Sequence, residues 1–162
     1  MGEWFPANIS IGGKLHRSRL KDLSDCLLQD GVMDYEEEEW SLADIQAVLE
    51  HDSKQRFVAR FTNIEAKYGV FEATEAYCIK NGLSFLRHND AYNDYEAEYE
   101  WWNPGMEKTA TCPSNNDGEV FVRSELLTKI LTSKQSAKEM IKEIGEYVVT
   151  HPPSIPHLEL VE

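Results

Sequence analysis

Acidic residues occupy every second position from Glu96 to Glu100 within the stretch DYEAEYEWW, residues 94–102. In an extended strand, residues two apart project from the same face, about 6.6–6.8 Å from each other. The spacing therefore predicts that Glu96, Glu98 and Glu100 form a row of carboxylates, an arrangement suited to binding cations. The alternate side chains are expected to face the core: Tyr95, Ala97, Tyr99 and Trp101.

Two blocks of the chain carry the excess of acidic residues. The range Asp34–Glu50 contains seven acidic residues and no lysine or arginine, and His88–Glu107 contains six and again none. Together they equal the formal net charge of −13. Such a surface repels nucleic acids and anionic lipids and attracts basic protein surfaces. The blander interpretation of each block is a solvated surface, either one face of an antiparallel sheet or an acidic loop.

Aromatic residues border both acidic blocks. If the alternation holds, Trp102 lies on the acidic face, where an indole provides contact area and a cation–π site for an incoming lysine or arginine. Imitation of the DNA backbone would need the two blocks to lie side by side, because a single glutamate row has about half the charge density of one DNA strand. The predicted partner-binding residues are Glu36, Glu37, Glu38, Glu39, Asp90, Asp94, Glu96, Glu98, Glu100 and Trp102.

Catalytic patterns are weaker. Asp52, followed by Glu65 and Lys67 across a predicted strand, loosely matches metal-dependent nucleases, in which acids hold Mg²⁺ and a lysine steadies the attacking water. This gives the alternative of a small metal-dependent nuclease or hydrolase, which the overall acidity opposes. His88, Asp90 and Asp94 could bind a divalent metal, but their spacing is not diagnostic. No catalytic residue, metal site or cofactor is predicted.

One basic cluster runs from Lys14 to Lys21. It allows a further alternative, a non-inhibitory adaptor or a homodimer in which this basic segment of one copy meets an acidic block of another.

The segments that position these residues alternate between strand and helix patterns. Two β-α-β units in series predict an α+β fold, a ferredoxin-like sandwich with an antiparallel sheet, one inserted helix and a helical C-terminal addition. A single domain is expected over residues 1–150, followed by a proline-rich extended tail at 151–162. The predicted strands are Asn8–Ile11, Val32–Tyr35, Arg56–Thr62, Leu83–Arg87, Tyr92–Trp102 and Glu119–Val122, and Leu158–Val161 either docks as an edge strand or stays loose. The predicted helices cover Leu15–Gln29, a segment opened by a capping box at Ser41 and Asp44, Phe71–Lys80, a segment from Ser124, and about Lys134–Val149.

The location is expected to be the cytoplasm. Three cysteines without a secretory pattern at the N-terminus are typical of reduced thiols in the cytosol. No stretch approaches the roughly 20 apolar residues that a membrane span requires.

Several short runs in the middle of the chain carry a likeness that extends over about Ile9–Val122: YGVFE (68–72), EAYC (75–78), NGLSFLRHNDA (81–91), EAE (96–98) and WNPGM (102–106). In these runs the chain is similar to small acidic proteins from bacterial phages and plasmids. As a class, such proteins resemble DNA-mimicking inhibitors of restriction or CRISPR systems. The resemblance implies an inhibitor that occupies the basic nucleic-acid-binding surface of a bacterial defence protein, without contacting nucleic acid or membrane itself.

Overall fold

The chain forms a mixed α+β structure. The computed structural model describes residues 3–33, 40–122, 124–133, 136–148 and 152–162. Its strands are β1 (Trp4–His16), β2 (Ala59–Lys67), β3 (Ser84–Asn89), β4 (Glu98–Trp102), β5 (Ala110–Pro113) and β6 (Leu158–Val161). A 3-10 turn (Arg17–Arg19) precedes the helices α1 (Leu20–Gln29), α2 (Leu42–Gln55), α3 (Glu72–Asn81), α4 (Ser124–Thr132) and α5 (Ala137–Val148).

The sheet is organised around β1. Its main order is β2-β1-β3-β4-β5, with each neighbouring pair antiparallel, while β6 pairs in parallel with the last residues of β1. Because β2 and β3 are both antiparallel to β1, they run in the same direction on either side of it, and α3 connects them. The predicted α+β class is confirmed. The ferredoxin-like arrangement is not confirmed, because the described part of the segment expected to end the first β-α-β unit, Val32 and Met33, contributes an isolated bridge between Met33 and Thr62. The predicted strand Glu119–Val122 is likewise reduced to an isolated bridge, between Ser114 and Val120.

The main core lies between one face of the sheet and helices α1, α2 and α3. Along β1, alternate residues such as Ile9 and Ile11 are fully buried, as a strand with one covered face requires. Leu23 and Leu27 of α1 and Leu49 of α2 close the same cluster. This face also receives side chains from β3 and β4, and that placement positions the site described below.

Local sequence signals located several elements correctly. Ser41 begins α2 with the predicted capping box, since its Oγ accepts from the Asp44 N–H and Asp44 Oδ2 accepts from the Ser41 N–H. Gly82 ends α3 in the left-handed conformation, at φ 70°, where glycine has no steric penalty. The predicted first helix was too long, because Leu15 and His16 still belong to β1 and are held there by β6.

The C-terminal segment is part of the sheet. Leu158 and Leu160 are partners of Gly13 and Leu15 in the parallel pairing of β6 with β1, and Leu158 is fully buried. The segment before β6 approaches Gly12 so closely that a Cβ there would lie 1.7 Å from the Pro156 carbonyl oxygen. Glycine at position 12 is therefore a condition for this docking. Within the part of the chain that is described, no helix has both the length and the apolar character needed to cross a bilayer.

Candidate functional site: an acid–tyrosine pocket above a buried arginine

Arg87 is a charged residue in the interior of the protein, 2% exposed on β3. It faces α3 and lies between two carboxylates. Its Nε is 2.8 Å from Glu75 Oε1, an ion pair without hydrogen-bond geometry, and its Nη2 donates to Glu100 Oε2. Nη1 donates to the Gly69 carbonyl oxygen at 3.0 Å and to Asn89 Oδ1 at 2.7 Å. A buried guanidinium is tolerated only with such partners, since an unpaired buried charge costs several kcal/mol.

The two carboxylates reach Arg87 from different elements. Glu100 is the register partner of Arg87 across the β3–β4 pair, so both side chains leave the same face of the sheet. Glu75 lies in the first turn of α3, where its Oε1 also accepts from the Phe71 N–H at 3.1 Å. Burial raises the pKa of Glu75 to about 7, although the positive charge of Arg87 and the Phe71 N–H act in the opposite direction. At neutral pH this carboxyl is close to the midpoint of its titration.

An open pocket of about 480 Å³ lies beside this cluster, within the usual size range of small ligand sites. We refer to it as the acid–tyrosine pocket. Arg87 and Asn89 form its inner side, and exposed tyrosines and carboxylates form its rim. The residues that line it are Phe5, Tyr68, Val70, Arg87, Asn89, Asp94, Tyr95, Glu96 and Glu98.

The aromatic part of the pocket is a chain of ring contacts. The buried ring of Phe5 lies 5.5 Å from the ring of Tyr95, and the Tyr95 ring lies 6.2 Å from that of Tyr68. Both tyrosines are more than 40% exposed. Phe5 also stacks on Tyr92 with centroids 5.8 Å apart. The packed phenylalanine thus fixes tyrosines that present the rest of their rings to solvent.

Tyr68 has an unusual backbone conformation for a tyrosine. Its φ is 56°, and Gly69 follows at φ 65°. The left-handed region costs a residue with a side chain roughly 1–2 kcal/mol. Gly69 cannot be exchanged for a larger residue, because a Cβ there would lie 2.4 Å from Phe5 and 2.7 Å from the Asn89 Cβ. The turn after β2 therefore sets both the tyrosine ring and the carbonyl that Arg87 uses.

The predicted two-residue alternation is confirmed for the end of the acidic row, where Glu98 and Glu100 share a face of the sheet with Trp102. Asp94, Glu96 and Glu98 line the acid–tyrosine pocket. The extended strand, however, covers only Glu98–Trp102 of the stretch predicted.

The predicted direction of that row was wrong at Glu100, whereas Ala97 and Trp101 are buried as predicted and Tyr95 is exposed. The face bearing Glu98 and Glu100 is the face that packs against α3, because β4 pairs with β3 through Arg87 and Phe85. Glu100 does not project towards solvent as expected but pairs with Arg87. Trp102 is not an exposed contact either: it is 8% exposed, belongs to the main core and donates its Nε1–H to the Met106 carbonyl oxygen at 3.0 Å. Packing the indole against Phe85 removes apolar surface from water, which stabilises the fold relative to an exposed Trp102.

The structure describes only part of the first acidic block, Asp34–Glu50. The predicted contacts Glu36, Glu37, Glu38 and Glu39 lie outside the described residues. The residues that flank them both contact β2: Met33 bridges to Thr62, and the ring of Trp40 packs edge-on against Phe61 at 5.7 Å. Since β1 and β3 lie between β2 and β4, β2 is about 14 Å from β4 at the usual strand spacing, and Met33 lies beyond the outer edge of β2. None of the described residues of the first acidic block lines the acid–tyrosine pocket.

The residues of the alternative hypotheses are not brought together. Asp52 and Lys67, predicted as part of one metal site with Glu65, line two different pockets. His88 lies on the sheet face opposite Arg87, whose pocket Asp94 lines, and its Nε2 is 3.0 Å from Ser114 Oγ while its Nδ1 is 4.0 Å from Asp90. Among the described residues, no group of three or more histidine, cysteine, aspartate and glutamate side chains is placed to hold a metal ion.

The basic cluster proposed for a homodimer is engaged within the chain. Arg17 lies 3.6 Å from Glu50 and 3.4 Å from Glu162, and the neighbouring cations have partners of their own. These are the pairs Lys14–Glu159, Arg19–Asp22 and Lys21–Asp25. A second copy would have to compete with these acids.

Arg87, Glu75, Tyr68 and Asn89 were not predicted as site residues. Arg87 carried the one available signal, a charged residue in a predicted strand that is otherwise largely apolar. Comparisons of the chain with protein-family models, curated proteins and solved structures give no match.

Proposed function

We propose that the protein binds a basic surface of another protein and that the acid–tyrosine pocket receives an arginine side chain of that partner. The observation that carries this proposal is the composition of the pocket, in which three carboxylates and two exposed tyrosine rings surround an arginine that already has carboxylate partners. This combination favours an incoming cation over an anion.

The charges support a cationic ligand. Among the described residues that line the pocket, Asp94, Glu96 and Glu98 outnumber the cationic group of Arg87. The charge of Arg87 is offset by Glu100 and by the ionised fraction of Glu75, so it weakens the negative potential at the rim only slightly. An anionic ligand would meet repulsion from the rim and find no arginine donor without a carboxylate beside it.

The tyrosines favour arginine over lysine. A guanidinium is planar and weakly hydrated, so it stacks on an aromatic ring while donating to carboxylates at the ring edge. Tyr68 already has a cation of this chain above it, the Lys67 Nζ, at 5.9 Å from the ring centroid. A second cation would use the ring surface that Tyr68 and Tyr95 leave exposed towards the acids.

The partner class follows from the same chemistry. Grooves that bind nucleic acid display arginines in rows, and the class resemblance of this chain implies a bacterial defence protein with such a groove. In this proposal the protein excludes nucleic acid from the groove by occupying part of it. The supporting geometry is that of the acid–tyrosine pocket alone, and the Glu36–Glu39 run is not needed for it.

The test is capture from a bacterial lysate at low salt by wild-type protein and two charge-matched variants. One variant changes Asp94, Glu96 and Glu98 to lysine. The control changes three exposed acids elsewhere to lysine: Glu107, Asp117 and Glu125. We expect the wild type and the control to retain the same nucleic-acid-binding protein, which elutes as salt rises because exposed charge pairs are screened beyond about 8–10 Å. The pocket variant should not retain it.

A competition experiment with nucleic acid and a tyrosine variant test the proposal further. Duplex DNA or guide-like RNA added to the captured complex should displace the protein, because both occupy one groove. Tyr68→Gly should weaken capture while changing the free energy of unfolding by no more than about 1 kcal/mol, since glycine removes the left-handed strain as it removes the ring. Equal capture by the pocket variant and the control, or a complex that nucleic acid leaves intact, would refute the proposal.

A further inference from the structure

A second pocket, of about 580 Å³, lies where α2 ends and β2 begins. We call it the β2 pocket. The side chains that matter for its chemistry are two arginines, two aromatic residues and one acid: Arg56, Arg60, Trp40, Phe57 and Asp52. Among the described residues, the two pockets have no lining residue in common. Ligand binding at the β2 pocket is therefore independent of the proposed function.

The backbone fixes the segment that carries Arg56 and Phe57. Arg56 ends α2 in the left-handed conformation, at φ 58° and ψ 44°. The Phe57 N–H donates to the Asp52 carbonyl oxygen at 2.8 Å, and the Phe57 carbonyl oxygen accepts from the Leu158 N–H at 2.9 Å. The end of α2 and the start of β6 thus hold the segment from both sides. Ordering of this kind before binding reduces the entropy lost when a ligand binds.

The two arginines are unusual in so acidic a chain. The side chains of Arg56 and Arg60 make no hydrogen bond or ion pair with any other residue in the described ranges, whereas Arg17 and Arg19 have carboxylate partners. Asp52 lines the same pocket, and burial raises the pKa of its carboxyl, but it pairs with neither arginine. Within the described residues, both guanidinium groups lack a carboxylate partner, and guanidinium groups are strong donors to phosphate oxygens.

Aromatic rings stand next to these donors. Trp40 is half-buried and is fixed by its edge-on contact with Phe61. Phe57 is 53% exposed and packs edge-on against His51, with ring centroids 6.4 Å apart. A planar base stacks on such rings with a gain of roughly 1–3 kcal/mol. Neither ring is used by the acid–tyrosine pocket.

We infer that the β2 pocket binds a nucleoside phosphate, with the phosphate on Arg56 and Arg60 and the base stacked on the exposed ring of Phe57. Asp52 accepts hydrogen bonds from the ribose hydroxyls or from a base N–H, which explains an acid beside two arginines. The pocket volume is in the range of sites for ligands of this size. The ligand is a small nucleotide, since the chain as a whole repels the polyanionic backbone of DNA or RNA.

The test uses full-length protein and the probes AMP, GMP, CMP, UMP and inorganic phosphate, with binding followed by calorimetry and by quenching of tryptophan fluorescence. We expect saturable binding of at least one nucleotide, at least about tenfold tighter than phosphate. In the double variant Arg56→Ala, Arg60→Ala the affinity should fall by about tenfold or more. The matched control, Arg17→Ala with Arg19→Ala, should bind within about twofold of the wild type.

A third variant separates stacking from charge. Phe57→Ala should weaken nucleotide binding while leaving the affinity for inorganic phosphate unchanged, and circular dichroism checks that each variant is folded. The inference is overturned if no nucleotide binds saturably, if phosphate binds as tightly as every nucleotide, or if both arginine double variants lose affinity equally. The acid–tyrosine pocket variants should bind the nucleotide normally, so failure here is distinguishable from failure of the proposed function.

Discussion

Replacing Glu75 by glutamine should change how the stability of the protein depends on pH. Glu75 lies under the acid–tyrosine pocket against Arg87, with its side chain 12% exposed. Burial raises its pKa from 4.5 to about 7. Glutamine preserves the size of the side chain and an oxygen for the Phe71 N–H, but it cannot titrate. The variant therefore isolates the proton bound by this one group.

The size and sign of the effect follow from linkage. Between pH 4.5 and 7 the folded protein holds a proton on Glu75 that the unfolded chain has released, so the folded state loses stability as pH rises through this window. One pKa unit corresponds to about 1.4 kcal/mol. A shift from 4.5 to about 7 thus makes the wild type about 3 kcal/mol less stable at pH 8 than at pH 4, as far as this residue alone contributes. Below pH 4.5, the pKa of Glu75 in the unfolded chain, the stabilisation from this residue is fully retained.

Urea denaturation of wild type and Glu75→Gln at pH steps from 4 to 8 measures this difference. Subtracting the two free energies of unfolding at each pH cancels the other titrating groups, provided that they are far from residue 75. We expect the difference to change by about 3 kcal/mol, with its midpoint between pH 5 and 7 and the variant gaining relative stability at high pH. Two parallel curves would refute the reasoning and place the pKa of Glu75 near its ordinary value.

Three further changes test other parts of the structure. Arg87→Met should destabilise the fold by about 3–5 kcal/mol in urea at pH 8, because it leaves one buried and one partly buried carboxylate without their cation, and a loss below about 1 kcal/mol would contradict the ion-pair cluster. Ser41→Ala should cost about 1 kcal/mol by removing the capping box of α2, again measured by denaturation. Gly12→Ala should release the C-terminal segment, because the new Cβ would overlap Pro156; faster removal of β6 in limited proteolysis, with the rest of the domain intact, is the expected pattern.

Signals that act over a few residues were readable in the sequence. The capping box at Ser41 and the glycine stop at Gly82 depend only on backbone hydrogen bonds and φ angles within a single turn. The α+β class followed from alternating strand and helix patterns. Element ends that depend on distant partners were not predictable. Leu15 is in a strand because β6, more than 140 residues later, pairs with it.

The acidic composition and the two-residue repeat at Glu96–Glu100 were fixed by the sequence alone, and so was the sharing of one face by Glu98, Glu100 and Trp102. Which way that face turns was decided only by the tertiary structure. Period-two alternation assigns side chains to two faces but does not say which face a helix covers. The register of β3 with β4 placed Arg87 opposite Glu100, and α3 covers Arg87 through Glu75, so one member of the row became the partner of a buried cation. The pocket arises in the same way, because Tyr68, Arg87 and Tyr95 are neighbours only after the chain has folded.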